Sequence, residues 1–157
     1  MLNKKVKFLV MDVDGTLTDG KIYMGEHGEV MKAFSIKDGC GIHDIAIPNE
    51  ITPVIITGRR SKILENRASE LGITELHQGI SNKWEALRGV VNDMKQVAYI
   101  GDDINDLDCM RKVKESGGLT GCPKDAVKNV KAIADFVSEY NGGEGAVRDF
   151  IEWIVGV

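Results

Sequence analysis

Two carboxylates two residues apart, Asp12 and Asp14, close an apolar run in Lys7-Phe8-Leu9-Val10-Met11-Asp12-Val13-Asp14-Gly15-Thr16. Side chains at i and i+2 of an extended chain point the same way, so the pair repels and one member prefers to be neutral. A hard cation relieves that conflict: a carboxylate pair with water and a substrate phosphate is a typical Mg²⁺ environment. A calcium EF-hand is excluded, because its fifth and twelfth loop positions would be Thr16 and Tyr23 and the preceding segment reads as strand.

Three further positions complete a chemistry. Thr57 ends the apolar run Thr52-Pro53-Val54-Ile55-Ile56, Asp102 and Asp103 follow the run Gln96-Val97-Ala98-Tyr99-Ile100 after Gly101, and Lys83 opens a helix after a short loop. Asp12 can attack phosphorus as a carboxylate nucleophile, giving an aspartyl-phosphate. Asp14 can protonate the leaving alcohol and then deprotonate the hydrolytic water. Mg²⁺ between Asp12, Asp102 and a phosphoryl oxygen would shield an incoming dianion, with Thr57 and Lys83 donating to the other oxygens. Singly, Thr57 is any strand-ending threonine and Lys83 any solvated lysine. Asp102, Asp103 and Asp106 are equally helix N-terminal carboxylates facing the dipole. Their order at successive strand ends carries the joint reading.

The elements that must position these residues alternate. Strands at 7–11, 52–57, 75–78, 96–100 and 118–120, with an edge strand at 135–137, are interleaved with helices at 37–47, 62–71, 82–94, 105–113, 125–133 and 146–155. Asp38 is the expected N-cap of the first helix and Asn49 its left-handed terminator. The alternation predicts a doubly wound, mostly parallel sheet in a three-layer α/β/α arrangement. In such a sheet ligands sit beyond the carboxyl ends of the strands. Between the first strand and first helix, two β-like runs flank Gly25-Glu26-His27-Gly28, a hairpin with a four-residue loop over about 21–35. Its Tyr23, Val30 and Phe34 pack either on the same chain or on another subunit. Gly142-Gly143-Glu144-Gly145 is either a linker or a mobile lid before the last helix.

The chain has 157 residues, 43% of them hydrophobic and 28% charged, which suits one globular domain over 1–157. The formal charge of −4 and the lack of a basic run argue against nucleic acid. No apolar run approaches the roughly 20 residues of a membrane span. The three cysteines, Cys40, Cys109 and Cys122, match no zinc spacing and suggest free thiols in a reducing cytoplasm.

Asp12-Val13-Asp14-Gly15-Thr16, Thr57, Lys83 and Gly101-Asp102-Asp103-Ile104-Asn105-Asp106 together resemble the four motifs of the haloacid dehalogenase (HAD) superfamily of phosphotransferases. The resemblance implies Asp12 as nucleophile and Asp14 as acid/base. It implies magnesium on Asp12, the Asp14 backbone carbonyl and Asp102, with Asp103 or Asp106 supporting the metal shell, and phosphate on Thr57, Gly58 and Lys83. Neither 15–35 nor 58–82 can fold as a cap domain, so the chain resembles the capless subgroup. That subgroup includes the 3-deoxy-D-manno-octulosonate 8-phosphate (KDO 8-phosphate) phosphatases and relatives acting on nonulosonate 9-phosphates. Phe34-Ser35-Ile36-Lys37-Asp38-Gly39, His77-Gln78-Gly79-Ile80-Ser81-Asn82-Lys83 and Gly142-Gly143-Glu144-Gly145-Ala146-Val147-Arg148 extend the match.

The subgroup implies a homotetramer whose neighbouring subunit covers each active site. It also implies a keto-sugar acid phosphate as substrate, for whose carboxylate Arg59, then Lys37, then Arg67 are the candidate partners. Three alternatives stay open: a promiscuous phosphatase, a non-catalytic oligomerisation module of sugar-nucleotide synthesis, and a receiver-type switch. The last is disfavoured because Thr57 precedes the second acidic cluster. Gly121-Cys122-Pro123-Lys124 departs from the small apolar residues expected there.

Overall fold

The computed structural model describes residues 6–157; the charged leader Asn3-Lys4-Lys5 lies outside them. The strands are β1 (Phe8–Met11), β2 (Tyr23–Gly25), β3 (Gly28–Met31), β4 (Thr52–Ile56), β5 (Glu75–His77), β6 (Val97–Ile100), β7 (Leu119–Cys122) and β8 (Phe136–Val137). The helices are α1 (Ile36–Cys40), α2 (Lys62–Glu70), α3 (Lys83–Val90), α4 (Ile104–Glu115), α5 (Lys128–Ile133) and α6 (Ala146–Val155). Six strands form one parallel sheet in the order β5-β4-β1-β6-β7-β8. The remaining pair, β2 and β3, is an antiparallel hairpin.

Alternation along the central strands explains the three layers. Leu9, Met11, Ile55, Ala98 and Ile100 face a core shared with Leu64 and Ala68 of α2 and Phe150, Ile151 and Ile154 of α6. Val10, Val54, Ile56, Val97 and Tyr99 face the opposite core, with Leu87 of α3, Met110 and Val113 of α4 and Val130 of α5. Both faces of β1 are therefore dry, as a parallel sheet covered by helices requires. The chain passes from β1 to β4 and β5 on one side and then crosses to β6 on the other, so the crevice opens beyond the end of β1. Among the described residues no helix is long and apolar enough to cross a membrane.

Several local expectations change. Ser35, not Asp38, caps α1, its hydroxyl accepting the Asp38 amide. Asp38 is instead buried, and its Oδ1 accepts the Arg148 amide at 3.0 Å at the start of α6. The helical path runs on through a π-helical turn (Gly41–Ala46) and a 3₁₀ turn (Ile47–Asn49), and Glu50 rather than Asn49 takes the left-handed conformation, at φ 60°. α3 stops at Val90 because Asp93 caps a separate turn, Met94–Gln96. α5 starts at Lys128, Asp125 being used to accept the Gly142 amide at 3.0 Å. β7 continues through Gly121 and Cys122, so part of the departing stretch is buried sheet. The hairpin turn is the two residues Glu26-His27, since Gly25 pairs with Gly28.

The Gly-rich segment is not a free linker in this conformation. Gly143 donates to the Thr16 carbonyl at 3.1 Å, and a Cβ on Gly142 would collide with the Gly15 carbonyl. It straps α6 to the loop that carries Asp14.

Candidate active site

Asp12 leaves the end of β1 with its amide on the Ile100 carbonyl at 3.2 Å, and its side chain is nearly buried. Lys83, placed at the first turn of α3 by the Asn82 cap, reaches back to it: Nζ lies 2.9 Å from Asp12 Oδ1 and 2.8 Å from Asp106 Oδ1. Burial opposes the ammonium, but the Asp106 and Asp12 charges outweigh it and raise the Lys83 pKa. Asp106 is saturated. Its Oδ1 also accepts the Tyr99 hydroxyl at 2.7 Å, and its Oδ2 accepts the amides of Asp102 and Asp103 at 3.0 and 3.3 Å. Asp103 closes the reciprocal arrangement as the N-cap of α4, in a capping box with Asp106.

Asp102 faces Asp12 across the crevice, with one oxygen accepting from the Thr16 hydroxyl at 3.1 Å. The approach is so close that any Cβ at Gly15, whose φ is +89°, would collide with the Asp102 carboxylate. Burial, and then the neighbouring Asp12, push Asp102 up to about 8. Burial, and then Asp106, raise Asp12 to about 6 against the opposing pull of Lys83. One oxygen from each of Asp12, Asp102 and Asp106 lies within 4.8 Å of the others. Because Asp106 already receives four donors, it organises the cluster, and Asp12 and Asp102 are the carboxylates with capacity for a cation. All-oxygen donors in mutual repulsion fit a hard divalent ion.

A cleft of about 330 Å³ opens over these groups, lined also by Asp14, Thr57, Gly58, Arg59 and Asp103. Asp14 lies in the turn after β1, not on the strand itself. Its Oδ1 accepts from Lys32 Nζ at 2.8 Å, and Arg59 Nε stands 3.8 Å from Oδ2. The structure thus brings together Asp12, Asp14, Thr57, Gly58, Arg59, Lys83, Asp102, Asp103 and Asp106. It does not bring Lys37 or Arg67 to this cleft. Lys37 is exposed on α1, and Arg67 sits beside the Phe34 ring, pairing with Glu70 at 3.0 Å.

Lys32, Glu29 and Tyr99 were not legible as site residues. Glu29 and Lys32 are three apart, which places them on opposite faces of a regular strand. The strand ends at Met31, and the two side chains meet at 2.9 Å. Tyr99 offered a usable signal, since a phenol within a buried run needs an acceptor.

No protein-family model matches the chain. The 3-deoxy-D-manno-octulosonate 8-phosphate phosphatase KdsC of Escherichia coli K12 is 42% identical over 156 residues, covering 97% of this chain and 80% of its own. A Haemophilus influenzae deoxy-D-mannose-octulosonate 8-phosphate phosphatase, solved with cobalt, superposes with a TM-score of 0.90 at 34% identity, covering 97% of this chain and 88% of that one. The Moraxella catarrhalis 3-deoxy-D-manno-octulosonate 8-phosphate phosphatase, solved with magnesium, phosphate and KDO, gives 0.90 at 36% identity, covering 98% and 87%. Four motifs around one crevice and this likeness along nearly the whole length lead to one conclusion: the chain belongs to the KDO 8-phosphate phosphatase family of the HAD superfamily and is a phosphatase.

Proposed function

We propose that the chain, acting as one catalytic domain over 1–157, hydrolyses KDO 8-phosphate to KDO and phosphate with Mg²⁺, through an aspartyl-phosphate on Asp12. The observation that carries this reading is Asp12 itself. It stands at the mouth of β1 between Lys83 and Asp102 and under a cleft with Arg59 at its rim. The complex of the Moraxella relative with magnesium, phosphate and KDO supports it.

Asp12, the Asp14 carbonyl and Asp102 would hold the metal, which when bound supplies positive charge between the carboxylates and the phosphoryl dianion. Lys83, Thr57 and the Gly58 amide orient the phosphoryl group. An Asp12 oxygen bonds to phosphorus as the bond to the sugar oxygen breaks, and Asp14 gives that oxygen its proton. Asp14 then takes a proton from water as water attacks phosphorus and phosphate leaves Asp12. Arg59, 46% exposed at the rim, is the side chain this reading assigns to the substrate carboxylate.

Water exclusion comes from a neighbouring subunit of a homotetramer. Met24, Val30 and Met31 of the hairpin are 52–63% exposed, and Ile104 beside the cleft is 68% exposed, an apolar rim suited to burial. Phe34 packs within the chain instead. The three free thiols suit a reducing cytoplasm.

The test is Mg²⁺-dependent phosphate release from KDO 8-phosphate, two nonulosonate 9-phosphates and an aryl phosphate, with Asp12→Asn as control. Preference for KDO 8-phosphate is the expected result. Preference for a nonulosonate 9-phosphate, or for the aryl phosphate alone, overturns the substrate. Release that survives Asp12→Asn overturns the mechanism.

A further inference from the structure

We propose that Lys32, delivered by the hairpin, is a positioning residue that aims the Asp14 carboxylate at the leaving oxygen. The inference rests on the phosphatase reading above and assigns a task to a side chain that the four motifs do not contain.

The Lys32 side chain is only 3% exposed, although it follows a strand whose neighbours Val30 and Met31 are exposed. A buried ammonium is tolerated only where carboxylates meet it. Here Asp14 Oδ1 lies at 2.8 Å and Glu29 Oε2 at 2.9 Å. Glu29 is itself anchored: its Oε1 accepts the Ser61 hydroxyl at 2.8 Å, and the same hydroxyl oxygen caps α2. A chain of contacts therefore runs from the start of α2, through the hairpin, to the catalytic turn.

Among the described residues Lys32 is the one side chain that donates a hydrogen bond to Asp14. It engages Oδ1, and Arg59, at 3.8 Å from Oδ2, is beyond hydrogen-bond range. One oxygen is fixed and the other is left for the substrate. That division suits a group that must hold a proton on a defined atom while an alcohol departs. Lys32 meets Asp14 and Glu29, whereas Lys83 meets Asp12 and Asp106, which separates this task from phosphate binding, the task given to Lys83.

A residue that only fastens the hairpin affects all substrates alike when removed. A residue that aims the proton donor matters most where the leaving group needs a proton. Lys32→Met is therefore compared with wild type on KDO 8-phosphate, a simple alkyl phosphate and 4-nitrophenyl phosphate, whose phenolate departs without help. Melting temperature and affinity for inorganic phosphate are measured alongside.

The expected result is a fall in kcat/KM of roughly 10- to 100-fold on both alkyl esters, part of the range that general acid catalysis spans. This ratio reports the steps through departure of the alcohol and not the later hydrolysis, in which Asp14 serves every ester alike. On the aryl ester the fall is within about threefold, a difference in kind that follows from the Brønsted dependence of proton transfer. Phosphate affinity stays near wild type. Glu29→Gln shows the same pattern more weakly. An equal loss of kcat/KM on all three esters, a change confined to phosphate affinity, or no change overturns the proposal. A wild-type enzyme inactive on every ester overturns the phosphatase mechanism first and this inference with it. Activity without a preference for KDO 8-phosphate overturns only the substrate, because the alkyl-to-aryl ratio still judges Lys32.

Discussion

Lys83 and Lys32 each bridge two carboxylates, and each side chain is 3% exposed, yet their surroundings differ. The partners of Lys83, Asp12 and Asp106, are 6% and 0% exposed, and the lysine comes from a helix packed on the sheet. The partners of Lys32, Asp14 and Glu29, are 22% and 13% exposed, and the lysine comes from a hairpin outside the sheet. The difference follows the chemistry proposed at each end. Phosphorus needs fixed charges away from water, where they act most strongly. The leaving alcohol and the incoming water need a passage, so the proposed acid/base group, Asp14, stands at the solvent side.

Removing the inner lysine is the hardest blow to this contrast. Lys83→Met leaves Asp12 and Asp106 buried without their cation, at a cost of about 3–5 kcal/mol. Chemical denaturation is expected to show that loss together with loss of turnover. A variant that stays as stable as wild type would make the two lysines equivalent.

A third buried carboxylate has no lysine and serves as a reference. Burial raises Asp38 to about 6 despite amide donors from the start of α6, and its Oδ2 has no hydrogen-bond partner. Between pH 4 and 6 the folded chain holds a proton there that the unfolded chain has released. The protonated form thus contributes stability that is complete below pH 4 and lost as pH rises through 6, amounting to about 3 kcal/mol. Asp38→Asn keeps an acceptor for the Arg148 amide and should remove this slope from the pH dependence of unfolding. An unchanged slope would show that Asp38 is charged when folded.

The smallest effect sharpens the inner cluster. Tyr99→Phe deletes one of four donors to Asp106, and a loss of about 1 kcal/mol is expected. Turnover should fall only a few-fold, because Lys83 and two amides still hold the carboxylate. A collapse of activity would mean that the phenol, not the lysine, sets the Asp106 orientation.

The sheet, its helices and the motif residues were legible because hydrophobic alternation and strand-end chemistry are local signals. α6 falls at 146–155 as expected, and Asp12, Thr57 and Asp102 stand beyond three neighbouring strands. What was not legible depends on residues far apart in sequence. Asp38 looked like a cap for its own helix and instead receives an amide of α6, 110 positions away. Lys32 and Glu29 gain their meaning only when the hairpin folds back over Asp14. Arg67 and Lys37 carry charges of the right sign but leave the cleft, since α1 and α2 turn those positions elsewhere.

The bond from Gly143 to Thr16 has a kinetic side. It joins positions 127 apart along the chain and locks the loop that follows Asp14. Contacts so distant form late, after the entropy of closing a long loop has been overcome. Helix signals, which rest on local contacts, should therefore recover first on refolding, and tight divalent-cation binding should return in a slower phase. A substitution in the glycine strap would slow that phase while leaving the earlier one untouched.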